Sequence, residues 1–105
     1  MDLNGKKVLV FGSGISGEAA AVLLNRKGAY VVLYDGNEKL DAEKIKEKMP
    51  ENVRVVLGAF PEKLLDGLDL TVMSPGVPTD LPIVEKMKEK GIPVWGEIEV
   101  GGKRS

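Results

Sequence analysis

The sequence predicts an α/β domain built on a doubly wound, parallel sheet of five strands. Three observations predict it. Five short runs of aliphatic and β-branched residues alternate with helical or turn-like segments along the chain. The first run leads directly into Gly12-Ser13-Gly14-Ile15-Ser16-Gly17 and then a small-residue helix, which is a strand, glycine turn, helix unit. The connections are short, and strands that alternate with helices in this way pair in parallel through right-handed crossovers.

The first strand is Val8-Leu9-Val10-Phe11, with Lys6 and Lys7 solvated at the end away from the glycines. Gly12 makes the tight turn, Gly14 lets a ligand approach the backbone, and Gly17 lets the helix lie close on the sheet. The helix is expected to run to about Lys27. Its inward stripe is read as Ile15, Ala19, Val22 and Leu23, and Gly28 closes it. Tyr30-Val31-Val32-Leu33-Tyr34 is the second strand and runs into Asp35-Gly36-Asn37. A short polar helix follows from Asp41 to Met49, with Ala42, Ile45 and Met49 inward and Pro50 ending it. Arg54-Val55-Val56-Leu57 is the third strand, and a helical turn surrounds Pro61-Glu62-Lys63-Leu64-Leu65.

The fourth strand, Leu68-Asp69-Leu70-Thr71-Val72-Met73, ends in Ser74-Pro75-Gly76-Val77-Pro78, where Pro-Gly signals a turn. The next helix is expected to start near Asp80 with Pro82 in its first turn. It faces inward through Ile83, Val84 and Met87 and stops at Gly91. Ile92-Pro93-Val94-Trp95 is the fifth strand, and its proline suits an edge or a strand start. The predicted strand order is 3-2-1-4-5, a Rossmann-like arrangement with its crevice between strands one and four. Residues 1–100 are read as the domain and 101–105 as a linker or frayed end.

Composition narrows the function. The formal net charge is −1, so no basic excess exists to neutralise a nucleic-acid backbone, and none is expected as a partner. No apolar run approaches the roughly 20 residues of a membrane helix, and the first residues lack a signal-peptide core. No membrane partner is expected, and a cytoplasmic location is. The chain has no histidine and no cysteine, which removes the commonest general base and all thiolate chemistry. The acidic residues do not gather into an evident metal site. No catalytic residue and no metal ligand is assigned.

Binding remains. Free N–H groups at the start of a helix face an anion, and the helix dipole favours it, so the glycine turn suits a diphosphate. It is not a P-loop, because no Gly-Lys-Ser/Thr follows to hold a γ-phosphate and magnesium. Asp35 follows Gly17 by 18 residues, at the carboxyl end of the second strand, where an acid accepts hydrogen bonds from a ribose or base. Asp35-Gly36-Asn37 also suits a plain turn. Ser74 and Gly76 offer a hydroxyl and an N–H to a ligand at the same edge, although a plain strand-to-helix loop has the same spacing.

Three stretches together resemble the Mur ligase family. They are Lys7 to Ala21 around the glycine turn, Ser74-Pro75-Gly76-Val77-Pro78, and Gly91-Ile92-Pro93-Val94-Trp95-Gly96-Glu97-Ile98-Glu99. The resemblance covers roughly residues 5 to 100 and is closest to the branch that joins D-glutamate to UDP-N-acetylmuramoyl-L-alanine in peptidoglycan synthesis. It implies the first of three domains, one that grips the UDP part of that substrate and is inactive alone. The central and C-terminal domains would bind ATP with Mg and the incoming amino acid; no cofactor is implied in this chain. The amides of Ile15 and Ser16, beside Gly14, would meet the diphosphate. Asp35, Gly36 and Asn37 would flank the uracil and its ribose, and Ser74, Pro75 and Gly76 would close over them. Gly36 departs from the larger side chains such enzymes can carry there, which removes a side-chain contact to the base. The alternative is a nicotinamide-binding (NAD) Rossmann domain of a dehydrogenase or regulatory module, because Asp35 suits its ribose equally.

Overall fold

In a computed structural model of the chain, residues 3–74 and 82–96 are described. β1 (Lys7–Phe11) is followed by α1 (Ile15–Arg26), β2 (Tyr30–Asp35), α2 (Ala42–Lys48) and β3 (Arg54–Leu57). A short 3-10 helix (Glu62–Leu65) then leads to β4 (Leu70–Met73), α3 (Pro82–Glu89) and β5 (Val94–Gly96). The strands form one parallel sheet in the order β3-β2-β1-β4-β5, as the alternation predicts. β1 lies at its centre, between β2 and β4, and Val8, Leu9 and Val10 are fully buried.

The sheet has a core on each face. On one face Val8 and Val10 pack with Ala20, Ala21 and Leu24 of α1 and with Ile45 and Met49. On the other, Leu9 and Phe11 pack with Leu64, Leu65, Val84 and Met87. A central parallel strand covered on both faces reads as a continuous apolar run, which is what made β1 legible.

The stripe expected on α1 is wrong by about one position. Ile15 is 90% exposed and Leu23 39%, Ala19 is exposed, and Val22 is half-buried. The buried residues are Gly17, Ala20, Ala21 and Leu24. The phase is set at both ends. Gly17 lies against the Gly12 carbonyl, and the helix stops with Gly28 at φ 90°, where the Gly28 and Ala29 N–H groups bond the carbonyls of Asn25 and Leu24. That pair of bonds is a Schellman closure, so the expected cap at Gly28 is present.

Smaller differences have local causes. α2 is capped by Asp41, whose carboxylate accepts the Glu43 and Lys44 N–H groups. β4 starts at Leu70 rather than Leu68, because the Leu68 N–H closes a turn onto the Leu65 carbonyl. β5 starts at Val94. Pro93 before it has no N–H to give, but its carbonyl accepts from Thr71 at 2.9 Å. The predicted cap at Asp80 lies outside the described residues, as do Glu97 to Glu99 and the segment 101–105.

Candidate functional site

The carboxyl ends of β1, β2 and β4 meet at one rim of the sheet. The glycine turn leaves β1 there. Gly12 and Gly14 have φ of 103° and 98°, a region that side-chain-bearing residues rarely enter. The Gly12 N–H donates to the Tyr34 carbonyl at 2.7 Å, which holds the turn against β2. Gly17 is needed for a different reason: a Cβ there would lie 2.0 Å from the Gly12 oxygen. The same backbone closeness brings the start of α1 over the end of β1.

Gly14 is the N-cap of α1 and has no side chain to satisfy the first turn. The first intrahelical bond runs from the Glu18 N–H to the Gly14 carbonyl, so the amides of Ile15, Ser16 and Gly17 have no acceptor within the helix. Space in front of Gly14 is open, with nothing within 4 Å of the position a Cβ would take. Free amides at a helix start, together with the helix dipole, suit an anion.

Asp35 reaches the turn from β2. Its Oδ2 accepts the Ser13 N–H at 2.9 Å and the Ser13 hydroxyl at 2.6 Å, while Oδ1 accepts the Asn37 N–H at 2.8 Å. Burial alone would raise the pKa of this carboxyl. The Ser13 hydroxyl, then the Asn37 and Ser13 amides, outweigh burial and hold it below the ordinary aspartate value. Asp35 is thus an ionised acceptor that ties two loops together. Gly36 and Asn37 are exposed beside it.

Ser74, at the end of β4, is buried, and its hydroxyl donates to the Gly12 carbonyl at 2.7 Å. That hydroxyl proton is therefore already used inside the fold rather than offered to a ligand. Pro75 and Gly76 lie outside the described residues. Of the residues singled out in the sequence, Gly14, Ile15, Ser16, Asp35, Gly36, Asn37 and Ser74 share this rim.

Two features escape the sequence reading. Ser13 is a strut to Asp35, and the only signal for it is a hydroxyl residue between the first two glycines. The other is a link from β2 to the loop after β3. The Tyr34 hydroxyl donates to the Gly58 carbonyl, and the Gly58 N–H donates to the Asp35 carbonyl at 2.9 Å. Tyr34 also packs with Phe11 and Phe60. Burial, then the Asp35 charge, pushes its phenol pKa up, so it stays a neutral donor. A surface cavity of about 590 Å³ lies between the 3-10 helix and α3, lined by Glu62, Lys63, Lys86 and Lys90 among others, and shares no residue with the rim. Among the described residues, no cluster of acids can hold a metal ion, and no helix is long and apolar enough to cross a membrane.

Residues 6–96 match the Mur ligase MurD-like N-terminal domain. The chain belongs to that family. A UDP-N-acetylmuramoylalanine–D-glutamate ligase of Lachnospira eligens is 57% identical over 101 residues, which are 95% of this chain and 22% of that protein. The chain thus spans about a fifth of the length of the curated relatives it matches. Among solved structures, a pseudomurein peptide ligase type C from Methanothermus fervidus superposes with a TM-score of 0.77 at 19% identity, over 95% of this chain and 21% of that one. A shikimate dehydrogenase from Aquifex aeolicus gives 0.65 at 22% identity, over 94% and 45%. At these identities the two structures establish a Rossmann-like fold, in a ligase and a dehydrogenase alike. The Mur ligase resemblance read from the three stretches is the correct family.

Proposed function

We propose that this chain is the substrate-gripping first domain of a UDP-N-acetylmuramoylalanine–D-glutamate ligase. It binds the UDP part of UDP-N-acetylmuramoyl-L-alanine and performs no chemistry itself. The observation that carries this is a helix start with three amides lacking helical acceptors, opened by glycines, in a chain of the MurD-like N-terminal family. The Ile15 and Ser16 amides take the diphosphate. Asp35, Gly36 and Asn37 flank the base and ribose, and Ser74, Pro75 and Gly76 are assigned to the same ligand. ATP and Mg belong to the rest of the enzyme. This chain has no P-loop lysine, and its described residues hold no acidic cluster for the ion. When bound there, ATP would convert the substrate carboxyl to an acyl phosphate for the amine of D-glutamate to attack. A cytoplasmic location goes with this reading, because nucleotide-linked precursors and ATP are held there.

Calorimetric titration with UDP-N-acetylmuramoyl-L-alanine and with NAD tests it; tighter binding of NAD would overturn it. A variant at Gly14 is a poor probe, because φ 98° and ψ −175° are strained for any side chain. Ile15→Pro is a better one. Proline is favoured at the first helical position and removes one amide donor, and the Ile15 side chain is 90% exposed. Affinity for the UDP substrate is expected to fall about tenfold or more, as for a lost hydrogen bond to a charged group, with melting temperature unchanged.

A further inference from the structure

Asp35 stands at the rim with most of its accepting capacity already in use. An ionised carboxylate offers about four lone-pair positions, two on each oxygen. The Ser13 N–H and hydroxyl both fall on Oδ2, and the Asn37 N–H falls on Oδ1. Among the described residues this leaves one position, and it is on Oδ1. A carboxylate that clasps a ribose accepts from two neighbouring hydroxyls and so needs two free positions. With Oδ2 saturated and one position left on Oδ1, that clasp is closed to Asp35.

We propose, taking the rim as the nucleotide site above, that Ser13 is its specificity-determining residue. By holding Oδ2 with two hydrogen bonds it confines Asp35 to a single acceptor, and so excludes the bidentate clasp of a ribose diol. Ser13 sits one residue before Gly14, so the same short turn that presents the amides to a diphosphate also fixes how the acid is used. The device separates ligands at the rim: those that give Asp35 one hydrogen fit, and those that depend on a diol clasp do not. Ser13 is half-buried and makes its side-chain hydrogen bond only to Asp35 among the described residues, so its hydroxyl can be removed without opening the core.

The test uses the 105-residue chain with UDP, 2′-deoxy-UDP and 3′-deoxy-UDP as probes. For the wild type, at most one deoxy analogue binds more weakly than UDP. For Ser13→Ala, Oδ2 regains a free position, and both analogues are expected to bind about fivefold or more weakly than UDP, one lost hydrogen bond each. Ser13→Thr keeps a hydroxyl and is expected to behave as the wild type. An NMR titration of the Asp35 carboxyl provides a second readout, with its pKa rising in Ser13→Ala and unchanged in Ser13→Thr. A wild type sensitive to both hydroxyls, or a Ser13→Ala chain sensitive to one or neither, overturns the role of Ser13 and leaves the nucleotide site standing. Absence of saturable UDP binding to the wild type overturns the nucleotide site itself, and this proposal with it.

Discussion

Gly17 and Asp35 show two ways in which one side chain, or its absence, sets the rim. A methyl at Gly17 would press on the Gly12 carbonyl from 2.0 Å and on the Ser74 hydroxyl from 3.0 Å. Gly17→Ala is expected to push α1 off β1 and to destabilise by about 1–3 kcal/mol, read as a lower denaturant midpoint. Asp35 adds a pH dependence. Its folded pKa is depressed, so as pH falls the unfolded chain takes up a proton more readily than the folded one. Its contribution is present above the ordinary aspartate value of about 4 and lost as pH falls through the lower folded value. Asp35→Asn is therefore expected to differ most from the wild type near neutral pH, the gap closing below about pH 4; a gap constant with pH would refute this. Thr71 is fully buried in β4, and its hydroxyl has no partner among the described residues. Thr71→Val is expected to stabilise by about 1 kcal/mol, because it removes an unpaired polar atom from the core. The role of Gly17 was readable from the glycine spacing alone. The role of Ser13 was not, because its partner lies 22 residues away and the direction of its side chain depends on where β2 ends.

At the level of the helix, α1 is where the sequence misleads. Ala19, Ala20 and Ala21 make the helix apolar on several sides, so periodicity alone does not choose the inward face. Two backbone devices choose it, the Gly17 contact at one end and the Gly28 closure at the other. Adjacent leucines test the choice. Leu24 is 1% exposed and Leu23 39%. Leu24→Ala is expected to destabilise by about 3 kcal/mol and Leu23→Ala by well under half of that, measured by urea unfolding; equal losses would return the stripe to Leu23. The first three strands were more legible than the face of α1. β3 spans the segment predicted for it, and β1 and β2 each lie within a residue of theirs. β1 and β2 are buried on both faces over most of their length and need no choice of side, whereas β3, at the sheet edge, is only half-buried. Of the ion pairs on the outside, Lys86 with Glu62 is exposed and Lys48 with Glu18 is long, at 3.8 Å, with Glu18 half-buried; such surface pairs add little to stability.

The whole molecule joins its two cores through one sheet, so neither face can come apart while the other stays ordered. Unfolding is expected to be a single transition, with far-UV circular dichroism and the fluorescence of Trp95 changing together. Trp95 packs against the α1-side core, whereas most of the circular dichroism reports the helices on both faces. Separated midpoints would show two cooperative units. The strand order was legible because alternation and short connections leave few topologies, and the reversal after β3 follows from placing the glycine turn at the crevice. That order also bears on how the chain is made. β1 is synthesised first and ends at the centre; β2 and then β3 add outward on one side, β4 and then β5 on the other. Taken in chain order, each strand after the first is placed at an outer edge of those before it. No strand has to be threaded between two that already pair, so the finished order needs no pairing to be broken once made.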